Sequence, residues 1–225
     1  MMLQHTLPAD IERTSMQIIE KELAEQGIVI PPENAAVVHR VIHATADFSY
    51  AQTLRFTSGA VEKGIEALKR GVSLVTDTNM ALAGLSKPSL ASLGSAAYCF
   101  MADPEVAKRA KQEGTTRAVA SMHHAAQCCP DAIFAVGNAP TALLALGELL
   151  KREELRPALI VAVPVGFVNV VESKETLFSI CTEKEVPCIA AMGRKGGSTV
   201  AAAICNALLY SATGRLDPTA RGWQG

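Results

Sequence analysis

Val72-Ser73-Leu74-Val75-Thr76-Asp77, Ala96-Ala97-Tyr98-Cys99-Phe100, Ala132-Ile133-Phe134-Ala135-Val136, Leu159-Ile160-Val161-Ala162-Val163 and Cys188-Ile189-Ala190-Ala191-Met192 are short apolar runs of strand length. Helical patterns occupy 103–112, 115–127, 139–152, 170–184 and 197–210 between them. Strands separated by helices of this length need right-handed crossovers, which place them parallel in one sheet with helices on both faces. The expected fold is therefore α/β, a three-layer α/β/α domain around a mostly parallel sheet of about five strands.

Upstream of the first strand the periodicity is helical. Ile11, Ile18, Ile19 and Leu23 share a stripe from Ala9 to Gln26, and Gly27 stops that helix. Pro31-Pro32 opens a second helix, where proline is tolerated, and Ser58 to Arg70 form a third, closed by Gly71. The second helix carries His39, His43 and Asp47 at four-residue spacing, so all three are expected on one face. An imidazole titrates near neutral pH, which makes this face a candidate acid–base site or metal site.

The composition narrows the function. At 225 residues the chain is expected to form one domain, 1–225, with about 211–225 as a loosely held tail containing the lone Trp223. Apolar residues make up 49% and mean hydropathy is +0.20, an excess supplied by alanine and valine that suits helices packed on a buried sheet. No apolar run reaches the roughly 18 residues needed to span a bilayer, and the N-terminus lacks a signal pattern, so a cytoplasmic location is expected. A net charge of −1 without blocks of like charge argues against nucleic acid or membrane partners and for a small molecule. Cys99, Cys128, Cys129, Cys181, Cys188 and Cys205 form no CxxC pair and read as reduced core residues.

In open parallel sheets the ligand lies beyond the carboxyl ends of the strands. Here those ends run into Asp77-Thr78-Asn79-Met80, Gly137-Asn138-Ala139-Pro140-Thr141, Pro164-Val165-Gly166-Phe167-Val168 and Gly193-Arg194-Lys195-Gly196-Gly197-Ser198-Thr199. Glycine turns that feed helices can present free N–H groups to an anion. The spacing matches neither GxxxxGK(S/T) nor GxGxxG, so nucleotide binding has little support. Arg117, Lys174, Arg194 and Lys195 supply candidate donors for carboxylates.

Taken together, RVIHA at 40–44, Gly114-Thr115-Thr116-Arg117, GNAPTAL at 137–143, PVGFV at 164–168 with ESK at 172–174, and GRKGGS at 193–198 resemble the precorrin-8X methylmutase family, also known as cobalt-precorrin-8 methylmutase. The likeness runs from about Ser15 to Leu209. It implies a homodimeric α/β isomerase of cobalamin biosynthesis that moves a methyl group from C-11 to C-12 of a corrin precursor without a cofactor or bound metal. The family's catalytic histidine falls on His43, which would protonate a ring nitrogen. By the same resemblance, Ser15, Asp77, Arg117, Asn138, Thr141, Gly166, Phe167, Ser173, Lys174, Gly196, Gly197 and Ser198 are expected to bind the carboxylate-edged tetrapyrrole near the subunit interface. Asp47, one turn beyond His43, is expected to raise its pKa, whereas His39, His123 and His124 read as structural. Two other readings stay open: a metal-dependent hydrolase using His39, His43 and Asp47, and a corrinoid carrier without catalysis.

Overall fold

The alternation of apolar runs and helices builds a six-stranded sheet in the computed structural model, which describes residues 7–221. In chain order the elements begin with α1 (Pro8–Glu25), α2 (Pro32–Thr45), α3 (Tyr50–Thr53), β1 (Leu54–Phe56), α4 (Ala60–Lys69) and β2 (Leu74–Thr76). Then follow α5 (Asn79–Ala83), α6 (Lys87–Leu93), β3 (Ala97–Tyr98), α7 (Pro104–Gln112), α8 (Arg117–Cys128) and β4 (Ile133–Val136). The chain continues through α9 (Pro140–Lys151), β5 (Leu159–Ala162), α10 (Val170–Glu183), β6 (Cys188–Ala191) and α11 (Ser198–Ala212), and a 3-10 turn at Pro218–Arg221 closes it.

The strand order is β1-β6-β5-β4-β2-β3, parallel throughout except for β1, which pairs antiparallel with β6. Side-chain alternation along the strands divides the core. Leu74, Ile133, Ala135, Leu159, Val161 and Ile189 point into a layer with α1, α2, α4 and α11. Val75, Phe134, Val136, Ile160, Ala162 and Ala190 point the other way, toward α8, α9 and α10. Both faces are buried, as the continuous apolar runs require. Each fully buried Leu, Ile or Phe adds about 1.5–3 kcal/mol, so the central strands fix the register.

The structure adds detail at three places. The sheet has six strands, because Leu54-Arg55-Phe56, too short to show alternation, pairs residue by residue with Ala191, Ala190 and Ile189. The run expected at 96–100 shortens to Ala97–Tyr98, an edge pair at the side of β2, before the chain turns at Phe100–Ala102. At the C-terminal end α11 runs on to Ala212, and Arg221 reaches back 209 residues to hydrogen-bond Glu12 of α1. Trp223 lies outside the described residues.

All six cysteines are free, and Cys181, Cys188 and Cys205 are buried, with burial pushing the Cys205 thiol up to about 12. Among the described residues no helix is long and apolar enough to cross a membrane.

Candidate functional site

The glycine loops come together because buried side chains hold them from behind. Asp77, at the end of β2, is 1% exposed, and its carboxylate accepts the N–H groups of Gly137, Asn138 and Ala139, each at 2.8 Å. Burial pushes its pKa up, and the three N–H groups act against that shift. Next to it Thr78 caps α5 through Ala81 N–H and meets Ser198 at 2.8 Å between hydroxyls. Gly137 is glycine for want of room: a Cβ there would lie 2.8 Å from Ser198 Cα and 2.9 Å from Gly197 O.

The loop after β6 is pinned in the same manner. Gly197 N–H donates to Val163 O at 2.8 Å, and Gly166 N–H donates to Arg194 O at 3.2 Å. Gly196 has φ +158°, and a Cβ would fall 2.2 Å from Val163 O and 2.8 Å from Pro164 O. Neither backbone can yield without breaking β5, so Gly196→Ala is expected to cost at least about 3 kcal/mol, at the level of severe backbone strain. A urea unfolding midpoint close to that of the wild type would contradict this.

Lys174 sits beneath this loop with no exposure, its Nζ donating to Gly193 O at 2.9 Å and Lys195 O at 2.8 Å. Desolvation lowers its pKa to about 8. In this structure Lys174 clamps the loop through those two carbonyls. Ser173 is buried too, and its hydroxyl is turned to Val170 O of its own helix. Asp77 likewise has both oxygens engaged by backbone. These three side chains shape the site from within.

His43 lies exposed in the last turn of α2, whose end is tied to the loops. Ala46 takes a left-handed conformation, φ +53°, so the helix stops before Asp47. The proposed face of three therefore breaks: Asp47 turns away to bind Lys195 Nζ at 2.6 Å, and Lys195 also donates to Ser49 Oγ at 3.0 Å. This clasp joins the end of the His43 helix to the GRKGGST loop. Asp47 is not among the groups acting on His43. Partial desolvation and the Arg40 guanidinium lower the imidazole pKa, and Glu12 opposes them. His39 is 3.7 Å from Glu20 of α1, and burial lowers its pKa as well. With Asp47 diverted, no group of three His, Cys, Asp or Glu side chains among the described residues is placed to hold a metal ion.

Arg40 escaped the reading of the sequence, although its place between two histidines marks the same helix. It lines a groove of about 250 Å³ with Ala44, Met80, Thr199, Asn206 and Tyr210. Other expected residues lie apart. Ser15 donates to Ile11 O within α1. Arg117 is exposed at the start of α8, and Thr141 meets Thr116 at 3.2 Å and lines a groove with Val119, His123 and Leu144 on the opposite side of the sheet. Asn138 is exposed at the strand ends, and Phe167 stands 83% exposed with Arg194 stacked over its ring at 5.6 Å. His124 packs edge-on against Phe100 with ring centroids 4.8 Å apart.

A family described as precorrin-8X methylmutase matches residues 10–211. The cobalt-precorrin-8 methylmutase of Leptospira interrogans is 42% identical over 93% of this chain and 96% of its own length. The precorrin-8X methylmutase of Pseudomonas aeruginosa is 36% identical over 88% and 93%. Among solved structures, the precorrin-8X methylmutase of Thermus thermophilus superposes with a TM-score of 0.81 at 42% identity, covering 91% of this chain and 98% of that one.

Proposed function

The chain belongs to the precorrin-8X methylmutase family, and from that premise we propose that it moves a methyl group from C-11 to C-12 of precorrin-8X or its cobalt form, with His43 as general acid. It is an isomerase of cobalamin biosynthesis. One C–CH3 bond breaks and one forms, and no electron is gained or lost overall. A proton placed by His43 on a ring nitrogen draws density from the conjugated system and eases the migration. The proton returns to the imidazole afterwards.

The observation that carries this reading is the Lys195–Asp47 clasp, which brings the only exposed histidine of α2 to the rim of the glycine loops. A flat ring edged by acetates and propionates suits backbone N–H groups, a few cations and apolar walls. Val165, Phe167, Val168 and Met80 are 47%, 83%, 75% and 70% exposed around these loops, more apolar surface than a finished monomeric site leaves open. That exposure supports a homodimer in which a second copy completes the site. The free thiols fit a reducing cytoplasm.

The direct test mixes the protein with precorrin-8 and, separately, its cobalt form, and follows the visible spectrum. Conversion to the corrin chromophore is expected, and the better substrate assigns the pathway branch. No change with either rejects the isomerase reading.

A pH profile adds a second prediction. A general acid must carry its proton, so kcat/KM falls as pH rises through the lowered pKa of free His43. Bound substrate brings several carboxylates near the imidazole and raises that pKa. The descending limb of kcat is therefore expected at higher pH than that of kcat/KM. Coincident limbs would remove the substrate carboxylates as the source of the proton affinity.

A further inference from the structure

Beyond the residues matched by the family, the chain does not trail away. From Gly214 it folds back across α1 and α11. Asp217 Oδ1 stands 3.6 Å from Arg13 Nη2 and accepts the N–H and hydroxyl of Thr219, which fixes the turn at Pro218–Arg221. At its end the Arg221 side chain hydrogen-bonds Glu12 at 2.5 Å, and each of the two side chains is 8% exposed. Arg40 of α2 reaches the same carboxylate oxygen at 2.7 Å. Both guanidiniums lie over the ring of Tyr210 on α11, at 5.3 Å for Arg40 and 4.5 Å for Arg221. One carboxylate and one aromatic face thus join four segments: α1, α2, α11 and the C-terminal turn.

We propose that Arg221 is a positioning residue for the reaction: through Glu12 and Arg40 it fixes the turn of α2 that carries His43 and sets the charge that His43 faces. Arg40 precedes His43 by three residues, so the two side chains are neighbours on the helix. The shared carboxylate and the two guanidiniums act on the imidazole with opposite signs. Removing a guanidinium or removing the carboxylate therefore changes the field at the imidazole in opposite senses. Burial alone would raise the pKa of Glu12, yet the two guanidiniums hold it below the usual carboxylate range, so the cluster is charged at neutral pH. The groups acting on His43 are Arg40 from its own helix, Glu12 from α1 and Arg221 from the C-terminal turn. Glu20 of α1 faces His39 one turn earlier, and Asp47 and Lys195 are paired with each other.

The inference rests on the reading of His43 as the general acid, and its test separates the two. The His43 imidazole is titrated by NMR in the full-length protein as wild type, Arg221→Gln, Arg221→Lys and Glu12→Gln, with a thermal melt of each. Arg221→Gln takes away a cation, so His43 is expected to titrate at higher pH. Glu12→Gln takes away the anion, so it is expected to titrate at lower pH. Arg221→Lys restores the charge without the planar fork and is expected to return the titration to the wild-type value even where the melt is lowered. A strap that only adds stability would move the melts and leave the imidazole where it was, and that outcome overturns the proposal. So would shifts of the same sign in Arg221→Gln and Glu12→Gln. Where Glu12→Gln fails to fold, the Arg221→Gln and Arg221→Lys pair decides alone. The descending limb of kcat/KM is measured beside each titration. A limb that follows the imidazole supports both readings, whereas one that stays fixed while the imidazole shifts overturns His43 as the acid.

Discussion

His43→Ala is expected to lower turnover by about 10²–10⁴-fold, the range that a positioned general acid supplies, while leaving the fold and ligand binding in place. The side chain is exposed in the last turn of α2, so its removal opens no core cavity. Alanine is also the better helix former. The turn is held independently, by the left-handed stop at Ala46, whose N–H bonds Ile42 O at 2.7 Å, and by the Asp47–Lys195 clasp beyond it. Rates of corrin appearance, a circular dichroism melt and a binding titration on the same preparation check the three parts. An unchanged rate would end the assignment. Single turnover also separates the enzyme from a carrier, which would bind the ring and leave the methyl group where it was.

The sequence spoke most clearly where burial is continuous. Four of the five apolar runs are central strands buried on both faces, and there the pattern leaves one arrangement. It was silent at β1, where three residues cannot show a period, and it overstated β3, where an edge strand has a partner on one side only. The strand-end loops were found by their glycines, yet the side chains that hold them from behind carry no local sign of that contact. Asp77 and Lys174 look like solvent-facing binding groups in a motif, because a motif does not show which way a side chain points. Helical spacing placed Asp47 beside His43, but the periodicity holds only as long as the helix, and a single residue at positive φ ended it. The contact between Glu12 and Arg221 spans 209 residues, and no local pattern could have signalled it.

Asp77→Ala is expected to damage the strand ends through the backbone that its carboxylate holds. Removing the carboxylate leaves the N–H groups of Gly137, Asn138 and Ala139 without their acceptor in a site where Asp77 was 1% exposed. Each buried donor left unmade costs about 1–3 kcal/mol. Water can reach the exposed Asn138 end and recover part of that, so a loss of about 3 kcal/mol is expected. Asp47→Ala, which breaks a half-exposed ion pair, is expected to cost no more than about 1 kcal/mol. The contrast matters because both carboxylates fasten loops at the same end of the sheet, and only burial distinguishes them. Asp77→Asn keeps one oxygen but turns an amide N–H2 toward a backbone N–H, so it should fall between wild type and alanine. The loop that Asp77 holds packs against Gly197 and Ser198 without room for a Cβ, so its release also loosens the start of α11. A rise in KM is therefore expected together with the lowered urea midpoint. A midpoint within about 0.5 kcal/mol of wild type, the scatter of ordinary surface changes, would show that the loop holds its shape without the carboxylate.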